Sequence, residues 1–187
     1  MCHIFLHDPK LYTLLLQADE ERAAKVRAAG CSCGGVLHRA PYPRKPRGLP
    51  VELQQLDHKR HSFCCNRSGC RSRYTPQSVF YLGRHVYVSV LMVLGTAMRC
   101  SVSGRALREL CQVLGVPRAT LDRWRAWWNH DVLATPFWKA ACARFMPPVS
   151  QALPGALLAR FTATDPLAQL MQALRFLAPL STLSEGR

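Results

Sequence analysis

Acidic residues are scarce in this chain: eleven Asp and Glu stand against 25 Lys and Arg, a formal charge of +14 over 187 residues. So few acids exclude a charge-balanced surface and select polyanionic partners, nucleic acid or anionic membrane. Long hydrophobic runs are also missing. The longest, Val86 to Met98, is 13 residues and is broken by Ser89, Gly95 and Thr96, whereas a membrane span needs about 20. That run reads as a buried core helix, and no membrane partner is expected. The first eight residues are too short and too soon acidic for a signal peptide. The expected location is therefore cytoplasmic, with the nucleoid. Internal repeats and low-complexity tracts are absent too, which sets aside solenoids and wholly disordered architectures.

What charge there is sits unevenly. Residues 1–30 hold four bases and four acids, whereas residues 31–100 hold eleven bases and two acids. The same stretch contains six of the nine cysteines and carries prolines at 41, 43, 46 and 50. Nine thiols in a reducing compartment point to metal binding or buried thiols over disulfides, and an odd count cannot pair fully.

Along the chain, Asp8-Pro9 is a helix start, with Leu11, Leu14, Leu15 and Ala18 at helical spacing and Gly30 as the stop. Residues 31–80 read as loops and short strands near Val36-Leu37 and His61-Cys64. From Leu82 helical periodicity returns, with helices expected at about 84–99, 103–114 and 117–129. Thr135-Pro136 opens another through Phe145, residues near 153–161 form one more, and Asp165-Pro166 caps a last one through about Ala178. Ser181 to Arg187 reads as a frayed tail. The expected divisions are an N-terminal helix (1–30), a zinc-ribbon-like module (31–80), a helix-turn-helix (81–134), and C-terminal helices with the tail (135–187).

Structural zinc takes four ligands at tetrahedral corners, most simply from two close pairs. Cys31 and Cys33, followed by Gly34-Gly35, make the first pair; Cys65 and Cys70, with Gly69 at the bend, make the second. Cys64 competes with Cys65, because neighbours on a strand face opposite ways, and Cys65 is preferred for its smaller loop. His38 and His61 are substitutes for a thiolate. Thiols without metal are the rival reading. Against it, the proline-rich, charged segment has little core of its own, and zinc can contribute about 10–16 kcal/mol to the folding of small peptides. One structural zinc is the expected cofactor. A catalytic zinc is disfavoured, since no Asp or Glu adjoins either pair.

Residues 105–128 have the requirements of a helix-turn-helix: Cys111 as the small residue at the crossing, Gly115 at the turn, and Leu107, Leu110, Leu114, Val116, Leu121 and Trp124 inside. Arg118, Thr120, Asp122, Arg123 and Arg125 of the second helix are then candidates for phosphates and base edges. An ordinary helical hairpin is the alternative. Arg44, Lys45 and Arg47 lie in a stretch too proline-rich for a strand, expected as an extended arm along a phosphate backbone or minor groove, or as a solvated loop. Arg71 and Arg73 flank the second cysteine pair as further phosphate contacts.

The order of a cysteine ribbon, then Arg-Tyr-Thr-Pro-Gln-Ser-Val-Phe, an apolar helix and Leu-Gly-Val-Pro-Arg-Ala-Thr-Leu-Asp-Arg-Trp resembles the amino-terminal region of zinc-ribbon insertion-sequence transposases, over about residues 31–130. That resemblance implies binding to the terminal repeats of a mobile element. In the family a separate ribonuclease-H-like domain with three carboxylates cuts DNA. Here only Asp131, Asp165 and Glu185 are acidic after residue 130, and the 57 residues from 131 are too few for such a domain.

The expectation is a mainly α protein with a small zinc-bound β ribbon and a helix-turn-helix bundle. It would bind double-stranded DNA as an accessory or regulatory factor in transposition and DNA recombination, without enzymatic activity. A transposase or a second copy of the chain is the expected protein partner. Two alternatives stay open: a subunit or remnant of a transposase whose catalysis comes from elsewhere, and an RNA-binding or protein-interaction module.

Overall fold

The computed structural model describes residues 2–182 except 56, 84, 101, 103 and 151, and for 2–4 it describes the backbone only. The Cys2 side chain, Glu185 and the tail from 183 lie outside the described residues.

Helix α1 (Pro9–Ala29) forms where its caps dictate. Asp8 accepts a hydrogen bond from the Lys10 N–H at 2.9 Å, Pro9 occupies the first turn, and Gly30 closes the helix at φ +71°. Its inward stripe serves two cores. Leu11, Tyr12, Leu15 and Ala18 enter the main core, while Ala23 packs with Cys31, Leu37, Phe63 and Cys65 in a second, smaller one. A single long helix is therefore the shared wall between the helical body and the cysteine-bearing segment.

That segment holds short strands β1 (Leu37–Arg39), β2 (Tyr42–Pro43), β3 (Lys59–Arg60), β4 (Phe63–Cys65) and β5 (Arg73–Tyr74), with helix α2 (Val51–Gln54) between β2 and β3. An antiparallel sheet runs in the order β1-β4-β5, and β2 pairs with β3. The strand at Tyr42–Pro43 departs from the expected free arm. Pro43 lacks an N–H but sits in a two-stranded edge, where a missing donor is tolerated. Beyond it the Arg44 N–H donates to the His58 carbonyl at 2.8 Å and the Arg47 N–H to the Val86 carbonyl at 2.7 Å. The arm is extended but pinned to the body along its length.

The same pinning shortens the next helix. Residues 85–88, expected as its first turn, stay extended, because the Val88 N–H donates back to the Arg47 carbonyl at 3.1 Å and Val88 bridges Tyr81. Helix α3 therefore runs Ser89–Cys100, with every residue from Ser89 to Thr96 buried. Its central position accounts for this all-round apolarity. Gly95 sits where α4 (Arg105–Leu114) and α5 (Arg118–Trp127) press closest: a Cβ there would lie 3.3 Å from Leu114 Cδ1 and 3.4 Å from Trp124 Cζ3. Between α4 and α5, Gly115 takes the left-handed conformation at φ +60°, and its N–H caps the carbonyls of Cys111 and Gln112.

After α5 one π-helical turn (Trp128–Val132) carries the chain into α6 (Pro136–Ala141), capped by Thr135. Helix α6 stops short of Phe145, and a 3-10 turn at Cys142–Arg144 replaces its last part. Short α7 (Gly155–Leu158) packs on α3, and α8 (Pro166–Leu177) closes the core, with Asp165 accepting from the N–H groups of Leu167 and Ala168. The molecule is mostly helical with a small sheet. Among the described residues no helix is long and apolar enough to cross a membrane.

Candidate metal centre and basic surface

Strand alternation settles which cysteines face one another. In β4, Cys65 pairs with Leu37 of β1 and points into the small core, whereas Cys64 pairs with His38 and points away, its Sγ near the Arg71 carbonyl. The loop before β1 is folded by its own backbone: the Gly34 N–H donates to the Cys31 carbonyl at 2.8 Å, and the Cys31 N–H to that of Gly35 at 3.0 Å. Gly35 has no room for a side chain, since a Cβ would stand 2.6 Å from Cys65 Sγ. On the other side the Cys65 N–H donates to the Ser72 carbonyl at 3.0 Å, and Gly69 turns at φ +84° just before Cys70.

These two loops bring Cys31, Cys33, Cys65 and Cys70 together, their sulfurs all within 4.8 Å of one another. The distances fit a metal. A tetrahedral site with zinc–sulfur bonds of about 2.3 Å has sulfur–sulfur edges of about 3.8 Å. Here Cys31–Cys70 is 3.7 Å, and Cys33 lies 3.5 Å from both Cys31 and Cys65. All are far beyond a disulfide bond. His38 is exposed beside Cys64, and His61 pairs with Glu20 at 3.3 Å, so neither histidine joins the cluster.

Hydrogen bonds around the sulfurs ready them unequally for ionisation. The Tyr74 hydroxyl, 3.3 Å from Cys31 Sγ, together with the Cys33 backbone, lowers the Cys31 thiol to about 6. The Ser72 hydroxyl and N–H lower Cys70, with the hydroxyl 3.1 Å from its sulfur. Cys65 goes the other way: the Arg67 N–H favours its thiolate, but burial and the three neighbouring sulfurs outweigh this and push it up to about 12. Four thiolates at this separation repel one another, so full ionisation calls for a cation among them. Tyr74 and Ser72 were not singled out by spacing. Their signal is nearness to a ligand: they stand two and four residues after Cys70, Tyr74 in β5 and Ser72 just before it.

Nearby cations are exposed. Arg67, Arg71 and Arg73 surround the second cysteine pair, Arg71 at a left-handed φ of +49° and Arg73 reaching the Ala40 carbonyl at 3.4 Å. Lys45 and Arg47 are exposed on the pinned arm, but Arg44 folds inward, donating to the His85 carbonyl at 2.8 Å and lying 5.0 Å from the Tyr81 ring centre.

On α5, Arg118, Arg123 and Arg125 are exposed and Asp122 is half-buried. Thr120 is a correction to the expected outward face. It is only 6% exposed, because positions 120, 121, 124 and 128 form the stripe facing the core. The Thr120 hydroxyl accepts a hydrogen bond from Arg123 Nη2 at 2.9 Å and so orients an outward arginine from within.

One buried polar pair, unmarked by any motif, fastens the cysteine segment to α1. Asp19, 3% exposed, accepts the Val79 N–H at 2.7 Å and the Ser78 hydroxyl, while buried Arg60 donates to the Pro76 carbonyl. No family model, no curated protein and no solved structure matches the chain.

Proposed function

We propose that the chain is a DNA-binding protein whose cysteine segment is ordered by one structural zinc ion and whose α4–α5 pair acts as a helix-turn-helix. The observation that carries the reading is the set of exposed arginines Arg118, Arg123 and Arg125 on a helix entered through a left-handed glycine, in a chain of net charge +14. Arginines at this spacing suit phosphates and the base edges of a major groove. Exposed Arg67, Arg71, Arg73, Lys45 and Arg47 supply further phosphate contacts, which would raise affinity without selecting sequence.

Zinc is the preferred ion because four thiolates without an oxygen ligand favour it, and a fully occupied tetrahedron leaves no open position for catalysis. Its role is then to hold the two loops together. The resemblance in motif order to insertion-sequence transposases supports an accessory or regulatory role at the ends of a mobile element. Replacing both Arg118 and Arg123 by Ala should weaken duplex binding at least tenfold in fluorescence anisotropy while leaving the helical circular dichroism unchanged. Undiminished binding would remove α5 from the interface.

A further inference from the structure

The acid on α5 is out of place on a surface that binds phosphates, and its contacts explain why it is there. Arg99, near the end of α3 and with a side chain only 14% exposed, is held by two partners. Its Nε and Nη2 lie 3.1 and 3.0 Å from Asp122 Oδ1, and its Nη1 donates to the Val102 carbonyl at 3.4 Å. The fixed guanidinium thus fixes the carboxylate. Asp122 then presents Oδ2 to Arg118 one turn earlier, at 3.5 Å from Nε.

The atom used matters. Because the ion pair is made through Arg118 Nε, it does not call on Nη1 and Nη2, on a side chain 71% exposed. A planar fork held in that way matches two acceptors side by side, as guanine O6 and N7 present them in a major groove. A loose phosphate contact needs no such support, and a carboxylate beside it would repel the backbone.

We infer that Arg118 reads a guanine, and that Asp122, held by Arg99, is the positioning residue that aims it. This rests on the DNA-binding reading above and gives it a base preference. The test starts by selecting a preferred duplex from a randomised pool with the zinc-loaded wild-type protein, then measuring affinity for that duplex with each base pair varied in turn. Arg118→Lys, Asp122→Ala and Arg99→Met should all flatten the preference at the same G·C pair, by about tenfold or more, while preferences at other positions persist. Arg118→Lys is an exposed, charge-preserving change, so its outcome does not depend on folding. Retention of the guanine preference by Arg118→Lys, or by a folded Asp122→Ala protein, would overturn the inference and leave DNA binding standing. Failure of the wild-type protein to bind any duplex would overturn both.

Discussion

Cys64 and Cys65 are chemically identical neighbours, and the direction in which β4 points each of them separates their roles. Cys65 is fully buried among the other three sulfurs, and the Cys64 Sγ lies instead by the backbone carbonyls of Cys65 and Arg71. Cys65→Ser should therefore lower the metal content of purified protein to well below one ion per chain, and Cys64→Ser should leave it at one; elemental analysis of both variants reads the difference. Asp19 tests a different residue-scale claim, that the cysteine segment is fastened to α1 by polar contacts as well as by the small core. Asp19→Ala leaves the Val79 N–H and Ser78 hydroxyl buried without their acceptor, at a cost of about 2–4 kcal/mol in denaturant unfolding. A loss under about 0.5 kcal/mol would mean that the contact is incidental.

At the scale of elements, β1, β4 and β5 offer two or three residues each, too little to stand alone without the sulfur cluster and the wall of α1. Removing the metal with a strong chelator under reducing conditions should abolish amide protection at Leu37–Arg39 and Phe63–Cys65 while protection persists in Val90–Leu94 of α3. Equal loss in both would show one cooperative unit. Much of this layout was legible in the sequence because its causes are local. Asp8, Gly30, Gly115 and Asp165 each fix a helix end through a neighbouring N–H or carbonyl, and strand alternation with the shorter loop to Cys70 favoured one of two adjacent cysteines. What escaped is long-range. Residues 85–88 read as helix but are held extended by Arg47, some forty positions earlier, and the same pairing pins an arm that composition had suggested was free. Thr120 turned inward because the stripe on α5 is one residue wider than spacing implied, and no pattern linked Asp122 to Arg99 on another helix.

For the whole molecule, the excess of bases is concentrated where the chain has least apolar core of its own. In the proposed account these two facts share a cause: a surface built to meet phosphates cannot also supply a hydrophobic interior, so a metal does the ordering. Exposed arginines from the sulfur cluster, the arm and α5 then belong to one polyanion-binding protein. The most direct test is the salt dependence of duplex binding, followed by anisotropy on the zinc-loaded protein and on protein stripped of metal. The account expects affinity to fall steeply with salt, with a logarithmic slope of about −0.9 for each phosphate contacted and several contacts in all, and expects the stripped protein to bind with a shallower slope and at least tenfold more weakly. Duplex binding that is absent, or that is equally tight with and without the metal, would contradict it.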